Sequence, residues 1–167
     1  MNQFWKKIWE MCLLKAAPQD IPASSSLLIV TLCCYFVVSF LLAVVKLSIV
    51  ESLGAAAVDV VFLLFISYVI MWVKLTTNRW YQTATSMAGV CTLIGVIALP
   101  IAVMQVVLGT EDFALLFLVA LMVWNLVAIA HVFKHAMDVS MIVAGLLAGF
   151  YMYLSLKVMN ILFFQAE

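Results

Sequence analysis

The residue best suited to chemistry in this sequence is Asp59, the one acid that lies well inside an apolar stretch. An ionisable side chain within a membrane-spanning helix is costly unless it is paired or neutralised. Such a residue is therefore a candidate functional site.

A stripe of polar and small residues accompanies Asp59 along the same stretch. Its members recur at three-, four-, seven- and eight-residue steps, and they are Ser52, Ala56, Asp59, Ser67 and Lys74. Residues at this spacing share one face of an α-helix. The pattern predicts that this face points toward other helices and not toward lipid.

Asp59 lies at a certain depth from the end of its predicted helix opposite the N-terminal side. The residues at the same depth on other predicted helices are Ser39, Gln105 and Tyr153, and we predict that they are its hydrogen-bond partners. Two interpretations follow. Asp59 is either a proton or cation site, or a bonded acid that fixes helix packing. Ion pathways usually contain several intramembrane charges and this chain shows one, which favours the packing role.

Two further polar groups lie in the last half of the chain. His131, His135 and Asp138 are spaced to share a helix face, as metal ligands could, but Lys134 beside them would oppose a cation. Histidines near a helix C-terminus are favoured by the helix dipole, so we predict no metal site and no cofactor. Asn125 lies within an apolar stretch and needs a partner across a helix interface.

Small residues are spaced at four-residue steps near the C-terminus. Gly145 and Gly149 form a GxxxG pattern, extended by Ser140, Ala144 and Ala148. This pattern lets another helix backbone approach closely. Two interpretations are equally open, a seam with a second copy or a partner subunit, and a tight crossing within the chain.

The amino-acid composition indicates whether these residues lie in a soluble protein or in a membrane protein. The chain has 167 residues, of which 68% are hydrophobic and 10% charged, and its mean hydropathy is +1.26. Soluble domains carry about 25% charged residues, so a soluble protein is excluded. The net charge of zero excludes a nucleic-acid partner. The sequence has no HExxH motif, phosphate-binding glycine loop or catalytic triad pattern, so we expect no enzyme.

The elements that must position these residues are helices. A bilayer core needs about 20 helical residues per crossing. Hydropathy predicts five spans in a single all-α membrane domain covering 1–167, a bundle of five transmembrane helices at about 27–45, 53–73, 84–108, 113–133 and 139–159. Over 1–17 the apolar residues recur at helical spacing opposite charged ones, which predicts an interfacial amphipathic helix.

Orientation follows from Lys and Arg, which resist translocation. Six of them fall on the side of the N-terminus, and only Lys46 and Lys157 fall on the other. Tryptophans gather at the same boundary as the six. We therefore expect a cytoplasmic N-terminus and, after five spans, a periplasmic C-terminus in a bacterial inner membrane.

The segment Ala16-Ala17-Pro18-Gln19-Asp20-Ile21-Pro22 before the first of five closely spaced spans resembles small Yip-type multi-pass membrane proteins. The resemblance implies a non-enzymatic helical bundle that interacts with the lipid bilayer and with other membrane proteins. The traffic role of the eukaryotic members depends on a long cytosolic region not found in this sequence, so it is not carried over. We expect an accessory or scaffold component, and as the alternative a small transporter or channel component that uses the Asp59 stripe.

Overall fold

The chain is helical throughout the computed structural model, which describes residues 2–108 and 111–164. Those ranges contain no strand. They contain six α-helices: α1 (Asn2–Cys12), α2 (Ser25–Val44), α3 (Ile49–Val73), α4 (Trp80–Leu108), α5 (Glu111–Met137) and α6 (Met141–Met159). Short 3-10 turns at Pro18–Asp20 and Thr77–Arg79 and a π-helical turn at Asn160–Phe164 complete the described chain.

Five of the helices are long and apolar enough to cross a membrane, which confirms the number predicted from hydropathy. The α2 helix has 20 residues and is therefore about 30 Å long, which equals the thickness of a bilayer core. The helices are apolar on every side, and many large side chains on their outer faces are exposed, among them Ile29, Val61, Phe65, Leu116 and Leu146.

Serine residues determine where three of the helices begin. The side-chain oxygen of each accepts a hydrogen bond from the backbone N–H three residues later, at Ser24, Ser48 and Ser140. This bond satisfies a donor that the first helical turn leaves free. Ser48 also forms a reciprocal capping box with Glu51.

The α4 helix is the centre of the bundle. It packs against α1, α2, α3 and α5, while α6 packs against α5 and α3. Close approach of α2 and α4 depends on Gly95, where an added Cβ would lie 2.6 Å from Cγ1 of Val38. A larger residue at this position would force the two helices apart.

The bundle has two ends, which we name the α1 end and the far end. At the α1 end, the side-chain amide of Gln19 donates to the carbonyl of His135 at 2.8 Å. There Arg79 also pairs with Asp138 at 3.2 Å. At the far end the ring of Phe163 packs against α3 at Gly54.

The α1 helix packs against the bundle through its apolar side. Ile8, Met11 and Cys12 are buried, and an added Cβ at Gly89 of α4 would lie 2.8 Å from Cδ1 of Ile8. The indole N–H of Trp124 in α5 donates to the carbonyl of Cys12 at 2.8 Å. Protein thus covers part of the apolar face, while Trp9 and Leu13 of the same face are exposed, and the placement of α1 at a membrane surface stays a prediction.

The predicted end of this first helix is wrong. The helix was expected over 1–17 and ends at Cys12. Leu14 has a φ of 62°, in the left-handed region, and the chain then leaves the helix axis. Leu13 continues the apolar spacing, but Leu14 lies about 180° from Trp5, on the face of the charged residues, so the spacing ends close to where the helix ends.

The turn between α5 and α6 also differs from expectation. The sequence predicted an α5 that ends at 133, but the helix continues through Lys134 and His135 to Met137. The chain reverses at Asp138, whose φ of 51° is a conformation that Asp and Asn tolerate better than most residues. The turn contains no Gly or Pro, the residues by which turns are usually recognised.

Candidate functional site

Asp59 of α3 is held by two hydroxyl groups of α2. The hydroxyl of Tyr35 donates to its Oδ2 at 2.6 Å, and the hydroxyl of Ser39 donates to the same oxygen at 2.9 Å. Tyr35 and Ser39 are four residues apart and therefore share one helix face. The contact between α2 and α3 is thus built around this carboxylate.

A cavity of about 290 Å³ lies beside Asp59, and all five long helices line it. Most of its wall is apolar. The polar side chains that line it are Tyr35, Ser39, Asp59, Cys91, Asn125, Tyr151 and Ser155. A cavity that collects this many polar groups in an apolar bundle is the strongest candidate site among the described residues.

The cavity occupies the middle and the far half of the bundle. On α2 and α6 its lining begins at Tyr35 and Tyr151 and continues toward the far end, and on α5 it extends from Asn125 in the same direction. The half nearer the α1 end is packed instead. There the α4 residues from Thr83 to Val90 are buried, and hydroxyls such as Ser86 bond back to their own helix.

The charges around the cavity are unequal. The described lining contains one acid, Asp59, and no Lys, Arg or His. Carboxylates inside apolar surroundings are stabilised by a partner of opposite charge. This wall offers hydroxyl donors to the acid but no cation.

The structure brings one of the three predicted partners to Asp59. Ser39 bonds to it as predicted. The prediction for Tyr153 is wrong, because this side chain points outward with 58% of its surface exposed and Tyr151 lines the cavity in its place. The prediction for Gln105 is also wrong. Its Oε1 is buried with no hydrogen-bond partner among the described residues, and it does not reach Asp59.

Tyr35 is the site residue that the sequence reasoning missed. A count of depth alone selected Ser39 on α2 and passed over Tyr35 one turn away. Both residues lie on the face that meets α3, so a search along that face from Ser39 would have found it.

The polar stripe of α3 faces other helices, as predicted. Ser52, Ala56 and Ser67 are fully buried. Ser67 accepts a hydrogen bond from the indole N–H of Trp80 at 3.2 Å. Lys74 follows the last residue of the helix at the α1 end and is exposed.

Gly145 and Gly149 do not form a crossing within the chain. An added Cβ at either position would meet no atom within 4 Å. The residues of α6 that pack inside are Ala144 and Ala148, which are fully buried. The intramolecular packing of α6 therefore uses the alanines of the pattern, and the two glycines take no part in it.

The group at His131, His135 and Asp138 is engaged in structural contacts. The Nε2 atom of His131 lies 3.0 Å from the carbonyl of Ala16, and Asp138 pairs with Arg79. In the described ranges, no group of three His, Cys, Asp or Glu side chains could hold a metal ion. Asn125 faces the cavity, and its Oδ1 lies 3.8 Å from Sγ of Cys91.

Comparison of the chain with family models, curated proteins and solved structures found no match. A single carboxylate held by hydroxyls can bind a cation or exchange a proton, and it lacks the second acid or base that general acid–base catalysis normally requires.

Proposed function

We propose that this protein is a multi-pass membrane protein that binds a cation or a proton in the Asp59 cavity, as a small transporter or channel component. The observation that carries the proposal is the charge of the cavity wall. All five long helices contribute to a described lining that has one carboxylate and no basic side chain.

An unpaired carboxylate in a low-dielectric bundle is costly, and a cation that enters the cavity removes that cost. The cavity lies beside the middle of α2 and α3, which in a membrane is the depth of the bilayer core. A site in this position is where membrane proteins bind the ions that they move.

The exposed apolar side chains on the outer faces of the five helices support a membrane location. Six of the eight Lys and Arg residues belong to segments at the α1 end, which are Lys6, Lys7, Lys15, Lys74, Arg79 and Lys134. By the positive-inside rule we place this end in the cytoplasm of a bacterial inner membrane, with the C-terminus in the periplasm. The cavity then lies toward the periplasmic half.

Reconstitution in proteoliposomes tests the proposal. Flux of protons, Na⁺, K⁺ and organic cations is measured for the wild type, for Asp59→Asn and for Glu10→Gln, which removes an acid outside the cavity. We expect flux of at least one cation, its loss in Asp59→Asn and its retention in Glu10→Gln. Equal flux in Asp59→Asn and the wild type, for every cation, would contradict the proposal.

A second candidate is the accessory or scaffold role that the sequence favoured, and one observation supports it. A Cβ added at Gly145 or Gly149 of α6 would meet no atom of the described chain within 4 Å, so this face of α6 has room for another helix. In this role the protein is non-enzymatic, as in the Yip-type proteins that it resembles, and it associates with another membrane protein or a second copy. Sedimentation in mild detergent should then show an assembly that Gly145→Leu weakens and Leu146→Ala does not.

A further inference from the structure

The two oxygens of the Asp59 carboxylate have different surroundings. Both hydroxyl donors reach Oδ2. Within residues 2–108 and 111–164 no group donates a hydrogen bond to Oδ1, and this atom is not among the buried polar atoms that lack a partner. Oδ1 therefore has no donor among the described residues, and Asp59 is the acid in the wall of the cavity.

The donor set around Oδ1 does not suit a divalent metal ion. Calcium takes about six to eight oxygen ligands, and magnesium requires a near-octahedral set. The cavity wall supplies one carboxylate, and nowhere in the described chain do three His, Cys, Asp or Glu side chains converge.

The rest of the cavity suits an apolar group next to a positive charge. Its wall includes Leu42, Ile94, Leu121, Met122 and Leu156. The rings of Tyr35 and Tyr151 belong to the same wall, and aromatic rings attract organic cations. An inorganic ion with its water shell would leave this apolar surface unused.

Hydrogen-bond acceptors are available beside the carboxylate. Asn125 lines the cavity, and its Oδ1 has only the weak S–H donor of Cys91 at 3.8 Å among the described residues. Ser155 adds a hydroxyl. An ammonium group with three N–H donors could use Oδ1 of Asp59 together with such acceptors.

We infer that the cavity binds a small primary ammonium ion that carries an apolar group, with the ammonium at Oδ1 of Asp59 and the apolar group against the leucine and methionine wall. The inference rests on the proposed function and names its substrate class. The volume of about 290 Å³ lies at the lower limit of the range for drug-sized molecules, about 300 to 1,000 Å³, which favours a small ligand.

Calorimetric titration of the protein in lipid nanodiscs tests this inference, with empty nanodiscs as the blank. The probes are n-butylammonium, 1-butanol as its neutral match, tetramethylammonium and Na⁺. We expect butylammonium to bind at least about tenfold more tightly than each of the other three, because only it combines charge, N–H donors and an apolar chain. Asp59→Asn should weaken it by at least about tenfold, and Glu10→Gln should not change it.

A variant that keeps the carboxylate completes the test. Ala98→Leu narrows the cavity without touching Asp59, so it should weaken butylammonium and leave any binding of Na⁺ unchanged. Asp59-dependent binding of Na⁺ or protons without binding of butylammonium would overturn this inference and keep the proposed function. Equal affinity for 1-butanol would also overturn it. If neither binding nor flux of any cation depends on Asp59, both this inference and the proposed function are overturned.

Discussion

The hydroxyl of Tyr35 donates a hydrogen bond to Oδ2 of Asp59 at 2.6 Å, across the interface between α2 and α3. This is a short O–H···O hydrogen bond in the apolar interior of the bundle. The bond joins two helices, and both of its residues line the cavity. Stability and binding are therefore coupled at this residue pair.

Tyr35→Phe removes the donor and keeps the ring. Leaving a buried hydrogen-bonding group without its partner costs about 1–3 kcal/mol, so we expect the free energy of unfolding to fall by this amount. Denaturation in mild detergent, followed by circular dichroism, measures the change. Tyr153→Phe is the matched control, because Tyr153 is 58% exposed, and its effect should stay within about 0.5 kcal/mol. Equal losses in the two variants would contradict the role of the Tyr35 hydroxyl.

Glycine substitutions test the packing of α4 against α2. In Gly95→Ala the added Cβ would lie 2.6 Å from Cγ1 of Val38, so overpacking should cost about 1–3 kcal/mol, partly offset by the higher helix propensity of Ala. Gly145→Ala meets no atom within 4 Å and should be neutral or slightly stabilising. The melting temperature should therefore fall in Gly95→Ala and stay equal or rise slightly in Gly145→Ala. An equal fall in both variants would contradict the close packing of α4 against α2 at Gly95.

The docking of α1 is tested by a double-mutant cycle. Gly89→Ala places a Cβ 2.8 Å from Cδ1 of Ile8, and Ile8→Val deletes that methyl group. We expect Gly89→Ala to cost at least about 0.5 kcal/mol less in the Ile8→Val background than in the wild type, which is the size of coupling seen between contacting residues. Strict additivity in thermal unfolding would show that α1 does not pack at Gly89.

The number and order of the spanning helices follow from hydropathy, but the rotation of each helix does not. A helix that is apolar on every side has no polar face to orient it. Depth counting therefore chose Tyr153, where Tyr151 faces the cavity, and two residues correspond to about 200° of rotation. The same limit applies to α6. The GxxxG pattern drew attention to Gly145, whereas Ala144 packs inside about 100° away.

Predictions succeeded where chemistry restricts a residue to one kind of partner. Asp59 needed donors and therefore had to face other helices, and Ser39 was the hydroxyl at the right depth. The turn expected between 133 and 139 is present but shorter, and its left-handed residue is Asp138 and not the glycine that usually marks such a turn, while the end of α1 before Leu14 was missed.

Cys12 gives a prediction about pH. Burial against α4 and α5 raises the pKa of its thiol from 9.0 to about 11, because an apolar environment disfavours the thiolate. Only the thiolate reacts with maleimides. At pH 8 the thiolate fraction should be about a hundredfold lower than for an unperturbed thiol, and the reaction should speed up about tenfold per pH unit below pH 11.

Peptide mass spectrometry can follow the modification of Cys12 in mild detergent and in sodium dodecyl sulfate. We expect slow labelling in the folded protein and fast labelling after denaturation. Equal rates in the two detergents at pH 8 would show that Cys12 is not buried by α1 docking.

The central claim is that Asp59 presents a carboxylate to a cation inside the bundle. It is tested most directly by the rate at which a hydrophobic carbodiimide modifies Asp59 in native membranes, measured by peptide mass spectrometry with and without Na⁺, K⁺, butylammonium and the neutral 1-butanol. The account predicts that Asp59 is modified, that at least one cation slows the reaction and that 1-butanol does not. An unmodified Asp59, or a rate that no cation changes, would contradict it.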